Sequence, residues 1–421
     1  MRIPHLRWYI AALLFLATVI NYIDRQTLSI VAPILTRELH IRPTEYAAIL
    51  QAFLIAYTVM YVVSGIIVDR FGTRLSLFAF MAWWSVSNML HAFATTGMHL
   101  GAFRFLLGIG ESGNFMAAFK VTSEWYPPKE RALVNGLVQA GAAVGAIIAT
   151  PLVTWIALTW GWRPAFVVTG AFGLVWLALW WAIYYLPAEH PFITEAERTL
   201  IEQEKAKDPG PGDQATIPYF DLLKYPQTWG LLLARFFSDP VWWFYLFWLP
   251  KYLVEKRGFS MAEMGMLAWL PYLSADLGSI AGGLWSGHLV KRNWTPLRAR
   301  TFTLLPFAAV MPLSLVIAYT PSSTVALAIV CLVTFAHMGW KTNMATVTND
   351  IYPTRIIGSV AGMLAFGTGL GGTLFTSLTG YLVEFYSYNA IFIVMGFLHP
   401  IAYVVYRLLV REPVSIKDRS K

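Results

Sequence analysis

Runs of about twenty consecutive apolar residues recur from one end of this chain to the other, and no other feature restricts its fold so strongly. Each run is long enough to cross a hydrocarbon core of roughly 30 Å as a helix. Only 13% of the residues are charged and 57% are hydrophobic, against roughly 25% and 45 to 50% in a soluble domain, so a water-facing surface cannot be built from them. The runs fall at 8–33, 45–68, 75–94, 99–124, 132–157, 163–186, 229–254, 261–289, 301–319, 323–348, 356–384 and 388–409. The expected fold is an all-α membrane protein with twelve transmembrane helices.

The formal net charge is +8, but no basic block is interleaved with aromatic residues, so nucleic acid is not an expected partner. The positive residues concentrate in alternate loops. With a cytoplasmic N-terminus, only Arg37, Arg42, Arg163, Lys251, Lys256 and Arg257 would lie in outside segments, and the positive-inside rule then places both termini in the cytoplasm. Cys331 is the lone cysteine and permits no internal disulfide. The first apolar run holds Asn21, Asp24 and Arg25 and no small-residue cleavage site, which predicts a retained first helix rather than a removable signal peptide.

The longest polar stretch, 187–227, contains Pro209-Gly210-Pro211-Gly212 and a helix-like segment from Thr194 to Lys205 that opens on Thr194 and Glu197 as a capping box. It reads as a cytoplasmic linker between a six-helix bundle at 1–186 and a second at 228–421 that ends in a short tail. The halves repeat. Glu124-Trp125-Tyr126-Pro127 with Gly136, Gly141 and Gly145 matches Asp350-Ile351-Tyr352-Pro353 with Gly362, Gly367 and Gly371 at one constant offset. The last two glycines of each copy have the spacing that lets membrane helices approach closely.

Between spans 2 and 3 stands Gly65-Ile66-Ile67-Val68-Asp69-Arg70-Phe71-Gly72-Thr73-Arg74. This resembles the signature loop of the major facilitator superfamily, whose fold is two pseudo-symmetric six-helix bundles. Gly65 is expected to allow close helix contact, Asp69 to sit near a neighbouring helix end, and Arg70 and Arg74 to remain at the anionic leaflet, with Gly72 completing a gating latch. The matching second-half loop, Gly283 to Lys291, is degraded. Further motifs resemble the anion:cation symporter family: Asn21-Tyr22-Ile23-Asp24-Arg25, Arg104 with Glu111-Ser112-Gly113-Asn114-Phe115, and Trp125-Tyr126-Pro127-Pro128-Lys129-Glu130-Arg131. Arg235-Phe236-Phe237-Ser238-Asp239-Pro240 in span 7 and Phe335-Ala336-His337 in span 10 are similar to its hexuronate transporters. The resemblance implies a monomeric symporter of a small organic anion such as glucuronate or galacturonate in the cytoplasmic (inner) membrane. Aldonates and aldarates are the alternatives, since few substitutions separate such substrates.

An ionisable side chain at mid-membrane costs about 2.5 to 3.5 kcal/mol on insertion scales, so its default reading is functional. Arg104 and Glu111 are two helical turns apart and project from one face of span 4. On span 1, Asn21 and Arg25 stack at i and i+4. A guanidinium binds carboxylate through two bonds and stays charged when buried, so Arg25 and Arg104 are the expected anion ligands. Burial and nearby arginines pull the protonation of Glu111 in opposite directions, which makes it the expected coupling group together with Asp24; the resemblance implies the same for both acids. The bland alternative is an Arg104–Glu111 ion pair that only holds the bundle.

A sugar acid also needs hydroxyl partners and an apolar contact. Tyr57, which the resemblance matches to a binding position, Tyr61 one turn on, and Gln139 in span 5 are candidates, as are His337, Trp340, Lys341 and Asn343 on span 10. Lys120 joins them because similar sequences carry a lysine there, although a lysine near a helix end can instead reach for the interface. Arg235 and Asp239 suit an i, i+4 ion pair, with Pro240 breaking the helix beside them. Two intramembrane acids point to protons as the coupling ion, with sodium the alternative, and no metal or other cofactor is called for. A drug antiporter is disfavoured because Gly141 to Pro151 lacks the glycine-proline signature of that class. An enzyme is disfavoured because no HExxH, paired-cysteine or nucleophile-elbow motif is present.

Overall fold

A computed structural model describes residues 2–207, 219–352 and 357–411. Pro209–Gly212 of the expected linker, Pro353 and Arg355 lie outside these. Among the described residues the chain is helical, with one isolated bridge between Ile3 and Ile193.

The helices are α1 (Leu6–Glu38), α2 (Pro43–Phe71), α3 (Thr73–Leu90), α4 (Gly97–Glu111), α5 (Gly113–Trp125), α6 (Pro128–Trp160), α7 (Trp162–Ile183) and α8 (Glu195–Lys207). Then come α9 (Tyr219–Leu222), α10 (Pro226–Arg257), α11 (Met261–Leu267), α12 (Leu270–Lys291), α13 (Pro296–Val310), α14 (Ser314–Tyr319), α15 (Ser323–Ile351), α16 (Ile357–Phe385) and α17 (Tyr388–Leu409). Among the described residues, seven helices are long and apolar enough to cross a membrane, counting α13 and α14 together as Pro296–Tyr319, and the bent α2 makes an eighth. The other four expected spans correspond to α3, to α4 with α5, to α10, and to α11 with α12. They fall short as single apolar helices because they are short, interrupted or charged. Large apolar side chains such as Val59, Trp155, Leu158, Val175 and Leu284 remain exposed, as a lipid-facing surface requires.

Three details depart from a reading of straight spans. Span 4 is interrupted at Ser112, between Glu111 and Gly113, and span 8 at Ala268 and Trp269. Span 2 bends by 48° between Tyr61 and Val63. Span 7, by contrast, runs as one helix through Pro240, which does not break it.

Local chemistry explains several helix ends. Thr96, Ser260 and Ser322 cap α4, α11 and α15 by accepting from the backbone N–H three residues on. The expected box at Thr194 is only half formed: its hydroxyl accepts from Glu197 N at 3.3 Å. The Glu197 carboxylate turns instead to α1, accepting from Leu6 N at 3.0 Å and Arg7 N at 3.2 Å and pairing with the Arg7 guanidinium at 3.1 Å. A carboxylate at the positive end of a helix gains from the dipole and from otherwise unpaired N–H groups, which a local box would not supply twice over.

By contacts the chain divides into two units: Met1–Gly212 with Leu253–Trp269, and Asp213–Tyr252 with Leu270–Lys421. In the first, α1 packs on α6, α2 on α4 and α3 on α7; in the second, α15 packs on α12 and α13, and α14 on α17. The repeated glycines do the same job in each. A side chain at Gly141 or Gly145 would come within 2.7 Å of Phe15 O or 2.6 Å of Val19 O on α1. Gly367 and Gly371 face Leu232 and Phe236 of α10 in the same way. The close-packing role expected from the spacing is therefore present in both units.

Gly72 joins α2 to α3 at φ +77° and ψ 163°, a conformation open essentially to glycine, and a Cβ there would touch nothing within 4 Å. Gly72→Ala is thus expected to cost backbone strain alone, about 1 to 3 kcal/mol. The check is a thermal unfolding midpoint, and an unchanged midpoint would mean the turn relaxes freely.

Candidate functional site

Charge is gathered inside the first unit by helices that are otherwise apolar. Arg25 and Glu111 are both buried, and Arg25 Nε donates to Glu111 Oε2 at 2.8 Å. The stacking expected on α1 is present: Arg25 Nη2 donates to Asn21 Oδ1 at 3.1 Å. Aromatic rings enclose the guanidinium, with its carbon 4.6 Å from the Tyr22 ring centre, 4.9 Å from Tyr57 and 5.2 Å from Phe53. Tyr61 continues this wall, 5.9 Å from Tyr57. An aromatic face attracts a cation without neutralising it, so among the described residues Glu111 is the anion that balances Arg25.

Arg104 lies within the same wall, its guanidinium 5.6 Å from the Phe53 ring. It is not paired with Glu111, as the bland alternative supposed. Its Nη2 donates to the backbone carbonyl of Arg25 at 2.8 Å, and its buried Nε and Nη1 have no partner among the described residues. Glu111 takes the arginine of the neighbouring helix rather than that of its own.

Asp24 belongs to a separate set. Its Oδ1 accepts from Asn88 Nδ2 of α3 at 2.8 Å, and the same amide nitrogen lies 2.8 Å from Thr169 Oγ1 and 3.2 Å from Phe166 O on α7. Asp24 Oδ2 has no hydrogen-bond partner among the described residues. The two acids thus face different surroundings, one a guanidinium and the other amide and hydroxyl groups.

Other candidates are placed elsewhere. Lys120 donates to Asp69 Oδ1 at 2.7 Å and to Val68 O at 3.2 Å, so its charge serves the signature loop and not the arginine cluster. Asp69 accordingly meets a lysine within α5 and not a helix end. Arg74 donates to Trp181 O at 2.8 Å and lies 3.8 Å over the Tyr185 ring, while Arg70 sits over Phe71. Gly65 has open space where a side chain would stand, so the close contact expected of it is not made. Gln139 is exposed on α6.

In the second unit, His337 Nδ1 lies 3.1 Å from His399 Nε2, and its ring stacks on Trp242 at 5.9 Å. Trp340 packs edge-on against His399 at 5.4 Å. Both are fully buried, whereas Lys341 on the same helix is partly exposed. Asn343 donates to Gly282 O at 3.1 Å and to Gly339 O at 2.9 Å, so its amide nitrogen fastens α15 to α12 and is not offered to a ligand. The expected Arg235–Asp239 pair is present at 3.7 Å, and Thr368 also donates to Asp239 at 2.5 Å.

The sequence profile described as Major Facilitator Superfamily matches residues 14–376. The chain belongs to that superfamily. It is a multi-pass membrane transporter and not an enzyme. The hexuronate transporter of Escherichia coli K12 is 30% identical over 420 residues, covering 98% of this chain and 96% of that protein. The galacturonate transporter of Dickeya chrysanthemi is 33% identical over 282 residues, covering 67% of this chain and 82% of that one. A solved bacterial homologue of the human lysosomal transporter Spinster, in an inward-facing and occupied conformation, superimposes with a TM-score of 0.79 at 19% identity over 97% of both chains. These relatives agree with the family resemblance carried by the motifs, and the superposition confirms the major facilitator fold.

Sequence reasoning about this transporter missed Asn88, Thr169, Tyr22 and Phe53. Asn88 left a signal, an amide inside an apolar run, which is costly unless paired. Thr169 left none, because threonine returns its hydroxyl to its own helix at little cost. The Lys120–Asp69 contact yields a test. An ion pair this exposed is worth about 0 to 1 kcal/mol, so Lys120→Met should leave the substrate KM within about threefold of wild type while altering the maximal rate. A rise in KM of about tenfold or more would return Lys120 to the binding site.

Proposed function

We propose that this transporter imports an organic monocarboxylate, most favourably a hexuronate such as glucuronate or galacturonate, by proton-coupled symport with alternating access. The names of the Escherichia coli and Dickeya chrysanthemi relatives support the substrate class. The observation that carries the reading is the buried Arg25–Glu111 pair beside an Arg104 with donors to spare.

In this reading the substrate carboxylate binds the free Nε and Nη1 of Arg104 and competes with Glu111 for Arg25. A carboxylate deprived of its cation in an apolar interior takes up a proton rather than remain charged. Binding of the anion and protonation of Glu111 therefore become one event. The charge balance supports one proton per anion: a monoanion entering with one proton on Glu111 leaves the net charge of the site unchanged. Tyr57 and Tyr61 supply apolar and hydroxyl contacts beside Arg25, and Asn21 supplies its amide nitrogen. Asp24, held by Asn88, is the second coupling acid. His337, Trp340 and Lys341 are the contributions assigned to the second unit, and Gln139 is a further contact on α6. The loop from Gly65 to Arg74, joined to Lys120, serves as a gating latch. The positive-inside distribution supports cytoplasmic termini in the inner membrane, and the reading assumes a monomer.

The test is uptake of labelled glucuronate into proteoliposomes, with pH and sodium gradients imposed separately. The reading expects accumulation with the proton gradient alone. Accumulation with sodium alone would transfer the coupling role to that ion, and no accumulation of any sugar acid under either gradient would remove the substrate class.

A further inference from the structure

At the end of the second unit where α13 begins and α17 finishes lies a cavity of about 460 Å³, within the range of roughly 300 to 1,000 Å³ common for small-molecule sites. Its walls carry Arg298, Arg407 and Arg411, and the lining contains no acidic residue. Nearby Arg300 is already neutralised by Asp350 at 3.3 Å, but among the described residues no carboxylate pairs with the three lining arginines. Among the described residues Arg411 spends only Nε, on Leu408 O at 3.1 Å.

The remaining wall is aromatic. Trp294 lies 4.6 Å under the Arg298 guanidinium and meets the Phe302 ring edge-on at 5.3 Å, and Tyr403 closes the α17 side. Thr301 and Tyr406 share a hydrogen bond of 2.9 Å that fastens the two helices. Phe302 is exposed. Such a site asks for a ligand that is strongly anionic at one end and apolar at the other. Three guanidinium groups suit phosphate oxygens, and exposed aromatic rings at helix ends suit the boundary of the acyl region.

We propose that this cavity binds the phosphate headgroup of an anionic phospholipid, with an acyl chain lying along Phe302. A basic pocket between membrane helices near the interface is where such headgroups bind. Nothing in the proposed transport cycle uses these residues, so the site stands independently of the substrate reading.

Native mass spectrometry of the purified full-length protein, titrated with phosphatidylglycerol, phosphatidylcholine or inorganic phosphate, tests it. Wild type should hold one phosphatidylglycerol at least about tenfold more tightly than phosphatidylcholine. The double variant Arg298→Ala/Arg407→Ala should lose about tenfold or more of that affinity with phosphatidylcholine unchanged, from roughly the contribution of two cations at an anionic surface. Arg298→Lys/Arg407→Lys, which keeps the charge and is the fallback should the alanine variant not fold, should retain the preference for phosphatidylglycerol but bind it more weakly than wild type, since an ammonium makes one contact where a guanidinium makes two. Arg292→Ala removes an equal charge outside the cavity and should have no effect. Equal loss in Arg292→Ala, or none in the double variant, would overturn the proposal. Displacement of the lipid by inorganic phosphate at comparable concentration would make a free anion the occupant and overturn it as well.

Discussion

Glu111→Gln is expected to abolish pH-driven accumulation of hexuronate while exchange of substrate across the membrane continues. Glutamine has nearly the same shape, and its side-chain oxygen can still accept from Arg25 Nε, the bond now made at 2.8 Å. What it cannot do is bind and release a proton. With one proton per monoanion, wild type should accumulate substrate by about tenfold for each unit of pH gradient, since one pH unit is 1.36 kcal/mol. The variant should equilibrate substrate without concentrating it. Exchange should persist, because a neutral residue at 111 resembles the protonated acid that accompanies substrate through the cycle. Removing one partner of a buried ion pair costs about 3 to 5 kcal/mol when the other is left bare, so a melting curve belongs beside the transport measurement. Unchanged pH-driven accumulation in a folded Glu111→Gln protein would remove Glu111 from coupling.

The second large effect is expected at Arg104. Arg104→Lys keeps a positive charge but replaces a planar fork with a single ammonium. The lysine can satisfy the carbonyl of Arg25, which Arg104 now holds at 2.8 Å, or reach a substrate carboxylate, but it lacks the geometry for both. Hydrogen bonds to charged groups are worth about 1.5 to 3 kcal/mol each, so loss of one or two predicts a rise in substrate KM of about tenfold to several hundredfold. The measurement is initial uptake against substrate concentration. Arg104→Lys with a KM within about threefold of wild type would show that charge alone suffices and that the free Nε and Nη1 are not the anion's ligands.

These expectations rest on pairings that periodicity could not supply. Helical spacing correctly put Asn21 beneath Arg25 and set Arg235 on Asp239, because those contacts lie within one helix. It could not say which arginine Glu111 would take. The same limit explains Lys120, which turns to Asp69 on a different helix, and Asn343, whose amide nitrogen is committed to Gly282. A local cap at Thr194 would use the Glu197 carboxylate, which instead closes the start of α1, far away in sequence. The breaks at Ser112 and at Ala268 to Trp269 were hidden for a related reason. Hydropathy averages over a turn or more and does not register one or two residues that leave the helix.

The sequence by itself determined that this chain is a helical membrane transporter of the major facilitator superfamily, with a repeat whose glycines seat one helix on another in each half. Apolar length sufficed for the helical membrane class because hydrocarbon allows few ways to satisfy a backbone, and the superfamily came from the resemblance of the loop from Gly65 to Arg74. It also located buried charge in the first half, since a charge there is too costly to be incidental. Only the tertiary structure decided how that charge is shared: Glu111 with Arg25, Asp24 with Asn88, and Arg104 bound through one nitrogen, its Nε and Nη1 unpaired among the described residues. Those partners come from different helices, and packing alone brings them within hydrogen-bonding distance.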